Sequence, residues 1–220
     1  MILLTGGSGQ LGTELQKQYS FYAPDKHAFN IINPNKDWLV KNCPQIEGIL
    51  HCAADTQNNK IQTDLDQAIS ATITNVLGTA NMAKLANELG VPLFHISTET
   101  CIDPYNIYAK TKLLAEDMAR FAKKHVIIRT SFRNNPFEYP KAPTDMWTIG
   151  DNIEVIARLI IDRLSSKYSN ELENIGTPAK TMYELAKKTR PDVKPTTIDE
   201  LNKTCPFLMH TMEALREVMC

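Results

Sequence analysis

Met1-Ile2-Leu3-Leu4-Thr5-Gly6-Gly7-Ser8-Gly9-Gln10-Leu11-Gly12 is a short apolar run that breaks into glycines three residues apart. Ile2 to Leu4 suits a buried parallel strand, and Gln10 to Tyr19 has helical periodicity through Leu11 and Leu15. Glycines at this spacing between a strand and a helix form a dinucleotide-binding turn. Gly6 lets the chain turn sharply, Gly9 lets a pyrophosphate approach the backbone, and Gly12 lets helix and strand pack closely. The helix start adds unpaired N–H groups and the positive end of the dipole. The plainer alternative is a glycine-rich turn without a ligand.

Outward from this turn, the chain alternates between the two periodicities. Ser20 to Ala23 or His27 to Ile32 supplies a second strand, with Pro24 between the two options. Lys36 to Asn42 reads as a short helix and Ile46 to Ala54 as a third, buried strand running into Ala53-Ala54. A long helical region spans Asp64 to Leu89 and stops at Gly90. Val91 to Ser97 is strand four, Asn106 to Lys123 a helix, and Val126 to Thr130 strand five. Such alternation predicts an α/β fold with a doubly wound parallel sheet over residues 1–131. After Ser131 the texture changes: Asn134 to Pro143 holds three prolines, and Asp151 to Leu164 and Met182 to Thr189 read as helices. Leu172 to Ile175 and Val193 to Thr196 are short strand candidates. Residues 132–220 are too few for a second half-fold and suit a small C-terminal α/β lobe over the strand ends, where ligands bind.

Composition bounds the partners. A net charge of -1 over 220 residues gives no electrostatic reason to expect nucleic acid or an anionic membrane, and no apolar stretch reaches membrane-span length. Residues 1–5 lack a basic leader and read as a strand rather than a signal peptide. Cys43, Cys52, Cys101, Cys205 and Cys220 are odd in number and lack CxxC spacing, which predicts reduced thiols in a cytoplasmic protein without a metal site. His51 and His95 lie near strand ends, with packing roles favoured over ligand contact.

A second constellation follows strand four. Tyr108 and Lys112 are four apart, so a helix places them on one face, just downstream of Ser97-Thr98. Tyr-x-x-x-Lys occurs three times, at Tyr22/Lys26, Tyr108/Lys112 and Tyr183/Lys187, so context rather than spacing selects the middle pair. The lysine charge is expected to lower the tyrosine pKa, letting the phenol give a proton to a carbonyl oxygen that Thr98 also holds.

Thr5 to Gly12, Ala53-Ala54, Ser97-Thr98-Glu99, Tyr108 to Leu113 and Arg129-Thr130-Ser131 fall in one order. That order resembles the extended short-chain dehydrogenase/reductases, in particular the dTDP-4-dehydrorhamnose reductase branch. The resemblance runs from residue 1 to about 131 and resumes faintly at Ile149 to Asn152 and Asn174 to Thr177. It implies a Rossmann fold and an NAD(P)-dependent oxidoreductase that reduces a keto group on a nucleotide-linked deoxysugar. Thr98, Tyr108 and Lys112 match the catalytic threonine, tyrosine and lysine, with Lys112 also holding the nicotinamide ribose. By the same resemblance, Ser8, Gly9, Gln10 and Leu11 line the pyrophosphate and Ala53, Ala54 and Asp55 pass along the cofactor. The helices 64–89 and 106–123 pair between subunits in relatives, which implies a homodimer.

Cofactor choice rests on the end of the second strand, which reads Asp25-Lys26-His27 and then Asn30-Ile31. An acidic residue there favours NAD and a basic one NADP; an inward Lys26 tips the expectation slightly to NADP. Two departures from the family are visible. Nine residues separate Thr98 from Tyr108, where relatives carry a longer loop, and the C-terminal lobe is short. These keep open two alternatives: an inactive NAD(P)-binding partner protein, as in the regulatory beta subunit of methionine adenosyltransferase, and a nucleotide-sugar epimerase or dehydratase with bound NAD. The latter needs a further acid or base, for which Glu99 and Asp103 are the nearby candidates.

Overall fold

The computed structural model describes residues 1–166, 168, 170–203 and 210–215. Cys205 and Cys220 lie outside the described residues. The opening apolar run forms β1 (Ile2–Thr5), and the glycine turn feeds α1 (Gln10–Gln18). There follow α2 (Lys36–Asn42), β2 (Gly48–His51), α3 (Asn58–Thr63), α4 (Leu65–Thr72) and α5 (Gly78–Leu89). Next come β3 (Leu93–Thr98), α6 (Ile107–Ala119) and β4 (His125–Thr130). The remainder contains β5 (Phe132–Arg133), β6 (Lys141–Pro143), β7 (Trp147–Thr148), β8 (Asp151–Asn152), α7 (Ile153–Leu164) and β9 (Glu171–Asn174). It ends in β10 (Lys180–Thr181), α8 (Met182–Thr189), β11 (Lys194–Thr196) and α9 (Ile198–Asn202).

The central sheet is parallel throughout, in the order β1-β2-β3-β4-β9. Beyond β1 the second expected strand shrinks to one parallel bridge between Leu3 and Tyr22. There Leu4 N donates to Tyr22 O at 2.8 Å and Tyr22 N to Ile2 O at 2.9 Å. Pro24 has no N–H to continue that ladder, and residues 27–32 form turns and coil instead of a strand. The chain thus leaves β1 on one side at Tyr22 and returns on the other at β2. The connections that follow β1 and β2 run over opposite faces of the sheet, α1 on one and α5 on the other, so this is a topological switch point, the place where such sheets take ligands.

Alternating residues divide the core. Leu3, Ile49, Leu93 and Ile127 face one layer with Leu39, Met82 and Ala119, while Leu4, Leu50, Phe94 and Ile128 face the other with Leu11, Leu15, Ile156 and Ile160. α7 and β9 therefore complete the sandwich from beyond residue 131. The rest of the C-terminal portion gathers around Phe137, Ala142, Met146, Leu185 and Val193 with three two-stranded pairings. Its α8 starts on a capping box between Thr181 and Glu184, which satisfies two end N–H groups.

The helix expected over Asp64 to Leu89 is interrupted. α4 passes through one π-helical turn, Ile73–Leu77, before α5 begins. The extra residue in that turn rotates the helix face, so buried Asn75 occupies the layer facing the sheet while Ile73 and Leu77 are left exposed. α6 is shorter than expected, starting on Asn106, whose Oδ1 accepts from Ala109 N at 2.8 Å.

Candidate functional site

The glycine turn is shaped by two steric limits. Gly6 has φ +75°, and a Cβ there would lie 2.6 Å from Ala53 N, while a Cβ on Gly12 would lie 2.2 Å from Gly6 O. Gly9 differs: the only atom near an added Cβ is Gly6 O at 3.3 Å, so its outer side is open. It stands at the N-cap of α1, where no side chain caps the helix, and Ser8, Gly9 and Gln10 are exposed. Leu11 sends its side chain into the core and leaves its backbone at the helix start. Gln16 braces the turn from behind, donating to Gly7 O at 2.7 Å and Gly12 O at 3.0 Å. An uncapped helix start behind an open glycine is a place for an anion.

Beside it, Ala53, Ala54 and Asp55 run along the end of β2. Asn75 grips Asp55 twice, its Oδ1 accepting from Asp55 N at 2.7 Å and its Nδ2 donating to Asp55 O at 3.1 Å. On the other side of β1, Asp25 accepts from His27 N and Ala28 N, and these two N–H groups hold its carboxyl below the usual range. Lys26 is exposed in the same turn. Asn30 folds back onto Ile32 N at 2.8 Å. Ile31 packs against the core close to Gly78, and Asn81 ties its carbonyl down at 2.9 Å.

The second constellation gathers at the carboxyl end of β3. Thr98 ends that strand, and its Oγ1 accepts from Thr100 N at 3.3 Å to start the 3₁₀ turn Glu99–Ile102. Lys112 is buried, with its Nζ donating to Ile96 O at 2.8 Å; burial pushes the ammonium down to about 8. Tyr108 sits one turn earlier, half-buried, and burial raises its phenol above the ordinary value, with Cys101, Tyr105 and Asp55 adding to the effect. This corrects the expected lowering by Lys112. Here the phenol keeps its proton and can act as a donor, while the ammonium is turned onto a strand carbonyl. Further along the same face of α6, Glu116 closes a buried pair with Arg129 (2.7 and 2.8 Å) and accepts from Ser97 Oγ at 2.5 Å. Residues 108, 112 and 116 are thereby held against β3 and β4 in one rotational setting. The third Tyr–Lys pair stays apart on α8, with Lys187 Nζ 5.6 Å from the Tyr183 ring centre.

Three polar positions carry more than the sequence reading assigned them. Glu99 is almost wholly buried and accepts from Thr148 Oγ1 (2.8 Å) and Ile149 N (3.1 Å), which ties β3 to the C-terminal portion. Its carboxyl is pushed up by burial against the opposing pull of Arg133. Asp151 accepts from Thr177 Oγ1 at 2.7 Å and pairs with Lys188 at 3.3 Å. Asn75 was detectable as a lone amide inside an apolar helical run. His51 and His95 are both fully buried in the sheet, their rings 5.4 Å apart. Among the described residues there is no cluster of metal-ligating side chains and no helix long and apolar enough to cross a membrane.

The switch point and the uncapped glycine turn lie at the end of β1, while Thr98 ends β3 and Lys112 is bonded to that strand. The family model described as RmlD substrate binding domain matches residues 1–135. The chain belongs to the RmlD substrate binding domain family. It is 30% identical over 151 residues to "Spore coat polysaccharide biosynthesis protein SpsK" of Bacillus subtilis (strain 168), covering 60% of this chain and 52% of the relative. To "dTDP-4-dehydrorhamnose reductase" of Escherichia coli it is 29% identical over 156 residues, covering 60% and 51%. The chain thus spans about half the length of the curated relatives it matches. Among solved structures, dTDP-4-dehydrorhamnose reductase from Bacillus anthracis str. Ames in complex with NADP superposes with a TM-score of 0.72 at 21% identity, over 99% of this chain and 96% of that one. At that identity the likeness is one of fold, a doubly wound Rossmann sheet.

Two outcomes test this geometry. Gly12→Ala has no room for its methyl and is expected to lose more than ~2 kcal/mol in urea unfolding, whereas Gly9→Ala remains within ~1 kcal/mol of wild type. The second concerns Lys112. Its folded pKa lies below its unfolded one, so between about 8 and 10.5 the unfolded chain holds the extra proton and stability rises with pH. Lys112→Met should therefore lose ~3 kcal/mol relative to wild type on going from pH 7 to pH 10.5, read as the difference between their unfolding free energies.

Proposed function

We propose that the chain is an NAD(P)H-dependent reductase acting on a keto group of a nucleotide-linked deoxysugar, in the manner of dTDP-4-dehydrorhamnose reductase. One observation carries this reading. The open side of Gly9 at the uncapped start of α1 and the Tyr108/Lys112 face of α6 lie at the carboxyl ends of β1 and β3, two parallel strands of one sheet with β2 between them. Ser8, Gly9, Gln10 and the backbone of Leu11 would hold the pyrophosphate, Gly6 and Gly12 giving the turn its shape. Ala53, Ala54 and Asp55 would flank the cofactor, and Lys26, Asn30 and Ile31 lie on the adenosine side. Asp25 has one oxygen spent on its own turn while Lys26 is exposed, which supports the preference for NADP.

A reduced nicotinamide held there would supply the hydride for the substrate carbonyl carbon. Tyr108, kept protonated by burial, donates its phenolic proton to the carbonyl oxygen, and Thr98 offers that oxygen a second hydroxyl. Lys112 uses one N–H on Ile96 O and retains two for the ribose hydroxyls. Glu99 spends its carboxylate on Thr148 and Ile149, which removes the best candidate for the further acid that an epimerase or dehydratase needs.

We also infer that two copies pair through α4, the π turn and α6. Leu65, Ile69, Ile73 and Leu77 recur every fourth residue as an exposed apolar stripe, Leu114 is exposed on α6, and Phe121 is exposed in the turn after it. Ile69→Glu is expected to shift the wild-type dimer to monomer in sedimentation velocity. A wild type that sediments as a monomer at micromolar concentration overturns this pairing.

The reductase reading is tested by NADPH and NADH fluorescence titration, followed by oxidation of the reduced cofactor with dTDP-4-keto-6-deoxy sugars. Tyr108→Phe should retain cofactor binding and lose turnover by at least about a hundredfold. Binding without turnover in the wild type favours a partner protein; binding of neither cofactor rejects the assignment.

A further inference from the structure

The sheet face toward α5 and α6 is not uniform. At its amino end it is apolar, through Leu3, Ile49 and Leu93, but at its carboxyl end the same rows carry Thr5, His51, His95 and Ser97. His51 is the centre of a directional chain of hydrogen bonds. Thr5 Oγ1 lies 2.7 Å from His51 Nδ1, and His51 Nε2 lies 3.1 Å from Thr79 Oγ1. Thr79 donates its single hydroxyl hydrogen to Asn75 O at 2.7 Å, because a carbonyl can only accept. Thr79 Oγ1 must then accept from Nε2–H, which leaves Nδ1 bare to accept from the Thr5 hydroxyl. The ring tautomer is thereby determined by its neighbours.

Asn75 passes the chain on. Its amide holds both backbone groups of Asp55, and its second N–H reaches Thr111 Oγ1 at 2.9 Å; Thr111 in turn donates to Tyr108 O at 2.8 Å. The loop Cys52–Asp55 is thus fastened at one end through His51 and at the other through Asn75, both by way of the same stretch of helix. Thr5 immediately precedes Gly6 and also accepts Cys52 N at 3.1 Å. Every donor and acceptor along this buried path is paired, so removing one member leaves its neighbours without partners.

We propose that His51, as the neutral Nε2–H tautomer, is a positioning residue that sets the glycine turn, the Cys52–Asp55 loop and the Tyr108 helix as one unit. It touches neither cofactor nor substrate and acts through Thr5 and Thr79. Burial, together with the charge of Lys112, drives its pKa down to about 3, so the ring stays neutral across the ordinary pH range. The charged or titratable groups around it are His95, whose tilted ring is centred 5.4 Å away in the same row, and Lys112 on α6. The functional half of this proposal rests on cofactor binding as argued above; the tautomer does not.

Two readouts test it. In nitrogen-15 spectra of histidine-labelled protein, with His51 assigned by its loss in His51→Asn, the ring should show a protonated Nε2 and a bare Nδ1, unchanged from pH 5 to pH 8. An Nδ1–H or doubly protonated ring overturns the proposal. Thr79→Val keeps the shape of the side chain but removes its hydrogen bonds, and should weaken NADPH binding about tenfold well below its melting temperature. Thr79→Ser should restore binding to within about twofold. Thr5→Val, at the other end of the chain, should give a similar loss independently. Wild-type affinity in both valine variants, with only the melting temperature lowered, makes the network purely structural and overturns the coupling. A wild type that binds neither NADPH nor NADH rejects the proposed function and the coupling with it, while the tautomer still decides the network.

Discussion

The close approach of α1 to the end of β1 is the constraint on which the rest depends. It brings backbone to within a methyl group's width at Gly6 and Gly12, and no side chain longer than hydrogen fits there. That contact aims the start of α1 at the switch point where the strand order reverses. It also lowers the turn onto Ala53, so the second loop of the site is placed by the first. Because β1 to β4 pair in parallel register, Thr5 lies level with His51, and Thr98 with Thr130. The chemistry-bearing ends of the strands form a rim because the ladder makes them level.

What lies under that rim is less ordinary. Most cores place polar side chains at the edge, whereas here threonines, histidines, an asparagine, a lysine and a glutamate are buried beneath the strand ends. Most are tolerable because a partner is close. Lys112 has Ile96 O, Glu116 has Arg129 and Ser97, and His51 has a threonine on either side. His95 stands out, since neither ring nitrogen has a partner among the described residues. Removing one member of the Glu116–Arg129 pair would strand a charge in the interior, which costs several times more than the pair contributes when intact.

Parallel strands were legible because burial on both faces turns them into unbroken apolar runs, as in Gly48–His51 and Leu93–Thr98. The glycine turn was legible from spacing joined to context, and so was the helix that puts Tyr108 and Lys112 on one face. The second strand was not, since a single bridge at Tyr22 leaves no periodic trace. Nor was the break in the helix from 64 to 89: a π turn adds one residue within an otherwise helical pattern and shifts its phase without adding a helix breaker. Glu99 read only as a candidate acid or base because nothing local reveals Thr148, forty-nine residues away, as its donor. The direction of the Tyr108 shift was missed for a related reason. Sequence names a lysine one turn away but does not say that its ammonium is already turned onto a strand.

The outermost strand has a consequence for how the chain is made. β9 is supplied by residues 171–174, long after β4, and α7 covers the layer over α1 only once residue 164 has emerged. A ribosome that has released the first 135 residues presents a nearly complete parallel sheet whose last strand still has an unpaired edge and whose Ile128 and Phe94 lack a cover. Such an edge invites pairing with another nascent chain. The sheet closes from its far end, and the segment that looks like an appendage in sequence is what makes the folded core safe from its neighbours.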